Sequence, residues 1–438
     1  MNLLCLDVGS TWTKGALVSP DGELLGTAAH ATTPPEVLTG IGAVARALDA
    51  ADARVLACSS AGGGLRLAVV GQERLVSVEA GHRVALSAGA KVVHVAAGRL
   101  DGAGLRALRS ARPDVLLLVG GTDGGAADVL LHNAKRLAAN RIGVPVVLAG
   151  NAAARDRAVA LLRERGRTVV PTGNVLPDVG ELAPGPARAA IREVFLRHVI
   201  GGKGLSRGPR FRRLVRTVTP DAVLSGVARL AAHRDTPGAV LVVDVGGATT
   251  DVYSAVSTVD DPEDERHAVG LPADRRTVEG DIGLRWSAPG VVADAVAERL
   301  LSESESAGLT GIAAGLAADP GTVSSEVDIR LAGLAAVLAV RRHLRMIDGR
   351  LGPHGAGLLV LSGGAFRHAE PAGLTAVEHA LRTDPALRPV LRTARFTVDR
   401  DYVLAPAGLL AEAGQQRAAD RLLLRLGAAV AGHRQDRG

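Results

Sequence analysis

Aromatic side chains are scarce in this chain of 438 residues: four phenylalanines, two tyrosines and two tryptophans, 2% of the total. That scarcity leaves no platform on which successive bases of a single strand could stack. The net charge of +6 and the pI near 9.9 therefore argue only weakly for nucleic acid, because a basic surface alone is a poor footprint. Lysine is scarce too. Lys14, Lys91, Lys135 and Lys203 are the only four, so the positive charge is arginine, densest in RGPRFRRLVR at 207–216, and reads as a solvated face. Cysteine is limited to Cys5 and Cys58, with no spacing that would hold zinc or an iron–sulfur cluster. The histidines, among them His94, His132 and His233, form no HExxH pattern. No charge-free apolar run reaches 18 residues, and the start has no basic segment before a long apolar stretch. These absences predict a cytoplasmic protein with reduced thiols and neither a membrane span nor a signal peptide.

Glycine is abundant, 54 residues, and many glycines follow apolar runs directly. LLCLDVG, TKGALVS and ELLGTAAH read as three strands, with Pro20-Asp21-Gly22 as a turn; a helix over TGIGAVARALDA and a strand at RVLACSS follow. A dinucleotide fold would instead place a helix straight after its first strand. Between about 84 and 180 strands alternate with helices, a βαβ texture with covered parallel strands. From 239 the opening pattern returns as AVLVVDVGG and TTDVYSAV. Helices are predicted near 187–201, 221–233, 290–303 and 328–345, and a polar loop over 260–276. The reading is α/β with two lobes, 1–235 and 236–438.

Two glycine turns carry the chemistry. In DVGSTWTK, Gly9 permits a tight turn, the following amides can form an anion nest, and Ser10 and Thr11 add hydroxyl donors. Asp7 repels bare phosphate but can hold Mg²⁺ through water, and Lys14 can neutralise phosphate charge. In DVGGATTD, Gly246, Gly247, Ala248, Thr249 and Thr250 stand between Asp244 and Asp251. One carboxylate there suits the metal and the other suits orientation of an attacking group. Either turn alone is as well read as an ordinary bend after a core strand. Their recurrence favours two lobes closing on one triphosphate.

These runs resemble the ATPase superfamily of actin, the 70-kDa heat-shock chaperones and sugar kinases. LVLSGGAFRHA resembles its adenosine motif, with Gly363 and Gly364 beneath the nucleoside. That resemblance implies a two-lobed actin-like ATPase with duplicated ribonuclease-H-like cores, binding ATP and Mg²⁺. It implies Asp7, Thr249 and Asp251 as catalytic residues and Asp7 and Asp244 at the metal. A closer resemblance, through SSAGGGLRLAVVG, LLLVGGTDGG, VVLAGN, DVGGATTDVYS and RTVEGDIGLR, is to the MutL family associated with glutamate mutase, unrelated to the mismatch-repair protein of that name. It implies an accessory ATPase that assembles or reactivates an adenosylcobalamin-dependent mutase. The chain lacks the DxHxxG run expected of a base-off cobalamin site, so it is not read as the mutase. A small-molecule kinase and a non-hydrolysing ATP-binding scaffold are the alternatives, and a homo-oligomer is left open.

Other runs remain divided. The GGTDGG loop, with Gly121, Thr122 and Asp123, reads equally as a ligand loop before a helix starting near Gly125 and as a close-packed turn. Glu279 and Asp281 suit either water positioning or an ion-pair network with Arg276 or Arg285. Asn151 is expected to cap the helix after it. Arg66 reads as an anion ligand or as an ordinary strand arginine, and Trp12 and Trp286 as local packing.

Overall fold

A computed structural model describes residues 1–438 except 10, 61–64, 74–75, 89, 141, 196, 198–208, 235, 257–273, 323, 348, 350 and 432–438. Ser10, the strongest basic run's first residues and most of the polar loop at 260–276 therefore lie outside the described residues. In chain order the strands are β1 (Leu3–Val8), β2 (Trp12–Val18), β3 (Leu24–Ala31), β4 (Arg54–Ser59), β5 (Arg66–Gly71), β6 (Lys91–Ala97), β7 (Val115–Leu118) and β8 (Val146–Leu148). They continue as β9 (Val169–Pro171), β10 (Val215–Thr217), β11 (Ala239–Val245), β12 (Thr250–Ala255), β13 (Asp274–Glu279), β14 (Ala356–Ser362) and β15 (Arg395–Val398).

Among the described residues these form three five-stranded sheets. The first has the order β10-β4-β1-β2-β3 and the second β13-β12-β11-β14-β15. In each, a three-stranded antiparallel meander is extended by strands parallel to its first strand. The two sheets therefore share one topology, the ribonuclease-H-like arrangement, and its duplication is the actin-like ATPase fold. Sequence and burial agree. β1 is apolar but for its aspartate and buried throughout, whereas the outer strand β3 alternates half-buried and exposed residues, as a one-sided strand does.

Both sheets lie in one compact unit, formed by residues 1–63, 208–262 and 274–438. The two sheets follow one another along the chain, and they share a single apolar core. That core gathers Leu3 and Cys5 of β1 and Val240 and Val242 of β11 around helices Thr219–Ala232 and Leu404–Glu412. The helices cross backbone to backbone. A Cβ on Gly226 would stand 2.3 Å from the Leu404 carbonyl oxygen, and one on Gly408 would stand 1.8 Å from that of Ala222. Only glycine fits either position. Both thiols are buried in this core; burial pushes Cys5 up to about 12 and Cys58 well above its ordinary value, which makes them inert as nucleophiles.

The second unit, residues 64–207 with 263–273, holds the third sheet, β6-β5-β7-β8-β9, parallel throughout. Its strand order is that of flavodoxin-like folds, as the alternating texture at 84–180 predicts, and it has its own core around Leu116, Leu118, Leu130 and Leu148. Two helical expectations need correction. The helix expected near Gly125 starts at Asp128, and the one expected at 290–303 is Ala288–Ala297. Glu303–Ala318 is a further helix, started by a Ser302–Glu305 capping box; its small apolar residues are spread around the axis and give no clear stripe. Among the described residues no helix is long and apolar enough to cross a membrane.

Candidate functional site

The site is built from two hairpin turns within the first unit. Gly9 N–H donates to the Trp12 carbonyl at 3.0 Å, and Gly246 N–H donates to the Thr249 carbonyl at 2.9 Å. Antiparallel pairing then sets Asp7 directly opposite Lys14, and Asp244 directly opposite Asp251. The turns also meet: a Cβ on Gly247 would come within 3.3 Å of Thr11 Oγ1. Charges from both hairpins act on one group. Burial raises the Asp244 pKa, nearby Lys14 opposes that shift, and Asp251 and Asp7 add to it.

Loop 244–251 is braced from behind by the segment after β13. Leu284 N–H donates to the Gly246 carbonyl at 3.0 Å, Arg285 N–H to Gly247 at 2.8 Å and Ser287 Oγ to Ala248 at 2.8 Å. This gives the RTVEGDIGLR run a structural task, since it takes up the loop's carbonyls on one side. Asp251 is held by Arg276, at 2.6 and 3.1 Å, and Thr249 Oγ1 donates to it at 3.4 Å. Arg276 is 3% exposed, so this is a buried ion pair. Thr250 alternates to the other face of the strand and is fully buried, and its hydroxyl has no hydrogen-bond partner among the described residues. Gly363 takes φ +116, and a Cβ there would stand 2.3 Å from the Val245 carbonyl oxygen, so the expected adenosine turn packs against the end of β11. Gly364 opens the short helix that follows.

Asp7 has partners that its local sequence does not reveal. Thr219 Oγ1 donates to one carboxylate oxygen and the Tyr402 hydroxyl to the other, and Cys58 Sγ lies 3.7 Å from the first. Lys14 Nζ stands 4.3 Å from the centre of the Tyr402 ring. Thr219 and Tyr402 lie 212 and 395 residues from Asp7, so only tertiary structure brings them there.

Glu279 and Asp281 belong to an ion-pair network, but its centre is Arg342 rather than Arg276 or Arg285. Arg342 lies 2.8 Å from Glu279, 3.4 Å from Asp281 and 2.6 Å from Asp294. Arg276 is committed to Asp251, and Arg285 to Asp328 at 2.8 Å. Trp12 and Trp286 are not packed away as expected; they are 50% and 47% exposed.

In the second unit, the GGTDGG loop is tied down by hydrogen bonds to Asn151, Ala152 and Asn174. Asp123 accepts from Ala152 N–H at 2.7 Å and from Asn174 Nδ2 at 2.9 Å, and Asn174 Nδ2 also donates to the Gly121 carbonyl. Thr122 C=O accepts from Gly125 N–H, closing the turn. Asn151 caps the turn after it, as expected, by accepting from Ala153 N–H, and it accepts from Gly124 as well. Arg66 is spent on the Ala111 and Arg112 carbonyls.

The family described as MutL protein matches residues 3–425. The chain belongs to the MutL protein family. Its curated relative Protein MutL of Clostridium tetanomorphum is 32% identical over 448 aligned positions, 93% of this chain and 96% of that one. The MutL-type runs in the sequence are thereby borne out. Among solved structures, the chain is similar to a ROK family glucokinase from Streptomyces griseus in complex with glucose and AMPPNP, at 13% identity over 96% of this chain and 98% of that chain, TM-score 0.30. It is also similar to the activator of 2-hydroxyisocaproyl-CoA dehydratase from Clostridium difficile with bound ADPNP, at 10% identity over 96% of this chain and 97% of that chain, TM-score 0.31. At such scores the likeness carries no argument, and the fold of this MutL-family chain rests on its strand orders and registers.

Among the described residues no three His, Cys, Asp or Glu side chains converge as a metal site. Asp7 and Asp244, one on each glycine turn, would therefore suit only a hard cation that keeps most of its water and takes its remaining ligands from phosphate.

Proposed function

We propose that this MutL-family protein binds and hydrolyses Mg-ATP, and uses the cycle to assemble or reactivate an adenosylcobalamin-dependent mutase, glutamate mutase being the first candidate. The observation that carries the ATP reading is the meeting of two equivalent hairpin turns, Thr11 against Gly247, with Asp7, Lys14, Asp244 and Asp251 around them. With the Gly9 and Gly246 amides closing the turns, the Gly247 amide and the Thr11 hydroxyl would face the polyphosphate, and Lys14 would neutralise part of its charge. Asp7 and Asp244 would hold Mg²⁺ through its water shell, where the ion supplies charge neutralisation. Asp251, pinned by Arg276, would orient the attacking water with Thr249 beside it. The Gly363-Gly364 turn would admit the nucleoside. Loss of the γ-phosphate removes a group that both turns share, and that differential contact would drive a change in the surface offered to the mutase. The mutase assignment rests on the family runs.

Purified protein with γ-labelled ATP and Mg²⁺ tests the chemistry, and pull-down of glutamate mutase with ATP, ADP or no nucleotide tests the partnership. Phosphate release without an acceptor and nucleotide-sensitive capture are expected. Turnover only with a small-molecule acceptor makes the protein a kinase, binding without turnover makes it a scaffold, and absence of capture in all nucleotide states removes glutamate mutase as partner.

A further inference from the structure

Tyr402 is joined to each of the elements that the ATP reading uses in the β1–β2 hairpin and the adenosine turn. Its hydroxyl donates to Asp7. Its ring faces Lys14 Nζ at 4.3 Å and the Arg367 guanidinium at 5.3 Å. Arg367 ends the short helix that Gly364 begins, and it is tied to the same segment as Tyr402: Arg367 Nε donates to the Arg400 carbonyl at 3.0 Å, and Arg400 Nη1 donates to the Arg367 carbonyl at 2.9 Å. Tyr402 also takes φ +55, a left-handed conformation that a bulky side chain adopts only where its surroundings impose it.

The segment is anchored on its far side. Asp399, 1% exposed, accepts from Val403 N–H at 2.8 Å and Leu404 N–H at 3.3 Å, and so caps helix Leu404–Glu412. That helix crosses Thr219–Ala232 at the Gly408 and Gly226 contact, and Thr219, the first residue of the second helix, supplies the other hydroxyl on Asp7. One carboxylate thus reads the starts of two crossing helices, through Thr219 on one and Tyr402 beside the other.

A polyphosphate with its metal needs the same two groups that Tyr402 holds. Each Asp7 oxygen already accepts one hydroxyl, so metal-bound water would compete with Tyr402 for the charge and orientation of the carboxylate, and phosphate oxygens would draw Lys14 Nζ off the face of the ring. We infer that Tyr402 is a phosphate-displaced latch: its hydroxyl and ring hold Asp7 and Lys14 when no nucleotide is bound, and the polyphosphate takes both from it, releasing segment 399–403 and the start of helix Leu404–Glu412. Tyr402 is a positioning residue here and touches no reacting atom. The inference rests on the proposed Mg-ATP site and adds to it a route from that site to the helix crossing.

The chain has only two tyrosines, Tyr253 and Tyr402, so protein carrying 3-fluorotyrosine gives two fluorine resonances, and Tyr402→Phe or Tyr253→Phe assigns them. Titration with Mg-ADP or Mg-ATP is expected to move the Tyr402 resonance, whereas adenosine, which has no phosphate, leaves it in place. Tyr402→Phe keeps the ring but removes the hydrogen bond that binding must break, so its Kd for Mg-ADP is expected to fall roughly tenfold, the scale of one hydrogen bond to a charged group. Its Kd for adenosine should not change. A Tyr402 resonance that stays fixed while Mg-ADP binds, or a weaker Mg-ADP complex in Tyr402→Phe, overturns the latch and leaves the ATP site intact. Absence of any Mg-ADP or Mg-ATP binding overturns both. If Tyr402→Phe does not fold, the titration assigned through Tyr253→Phe decides alone.

Discussion

In the β1–β2 hairpin Asp7 stands opposite Lys14; in the β11–β12 hairpin the same position opposite Asp244 is filled by Asp251. The turns close through the same hydrogen bond, and the neighbouring parallel strand sets Cys58 beside Asp7 and Ser362 beside Asp244. Backbone geometry is thus duplicated while chemistry is divided. The first hairpin pairs an anion with a cation and suits phosphate plus metal. The second pairs two anions, one of them fixed by buried Arg276, and suits metal plus water. The surroundings diverge as well: Asp7 accepts from two hydroxyls on other elements, while Asp244 accepts from Ser362. A duplicated fold has been specialised at single side chains.

The largest expected effect comes from removing the residue that makes the second hairpin different. Asp251→Asn should lower kcat for Mg-ATP by about a hundred- to ten-thousand-fold, the range of a lost general base or water-orienting group. KM should change little, and steady-state phosphate release checks both. A kcat within a fewfold of wild type would mean that the two hairpins are not divided as proposed.

Next is the cation of the first hairpin. Lys14→Met should raise KM for Mg-ATP roughly tenfold and reduce kcat less, because phosphate charge is present in ground and transition states alike. If kcat collapses while KM holds, Lys14 acts in the transition state and the contrast with Asp251 disappears.

The smallest effect compares the first aspartates in stability. Burial raises the folded-state pKa of Asp244, so its contribution to stability is full below the ordinary carboxylate pKa and is lost as pH rises through the raised value. Asp244→Asn should therefore raise the melting temperature of nucleotide-free protein at pH 7, by a few degrees for each kcal/mol relieved, and the gain should shrink towards pH 4. Asp7→Asn should lower it, because Thr219 and Tyr402 lose a charged acceptor. Melting curves at the two pH values decide, and equal shifts in the two variants would erase the difference in surroundings.

Much of this was legible in the sequence because it is local. An apolar run ending in Asp-x-Gly announces a core strand and its turn, and the recurrence of DVGG at 244–247 exposes the duplication. The cap at Asn151 and the parallel texture of 84–180 are equally short-range signals. What escaped depends on distance or on choice among equals. Thr219 and Tyr402 reach Asp7 from far along the chain, and nothing near either residue marks it; the rarity of tyrosine in this sequence was the one available hint. Arg342 rather than Arg276 or Arg285 meets Glu279 because helix Ser325–Met346 delivers it there. Trp12 and Trp286 were expected to pack because large apolar rings usually do, yet each is about half exposed.

The crossing at Gly226 and Gly408 has a mechanical consequence. Where two rods touch through carbonyl oxygen and α-carbon, no side chain can change rotamer to alter their spacing. Turning about that point preserves the contact, whereas sliding along either axis drives a neighbouring residue's Cβ into the opposing backbone. The pair therefore behaves as a pivot with a fixed pin, and any larger residue at either glycine acts as a wedge driven into it.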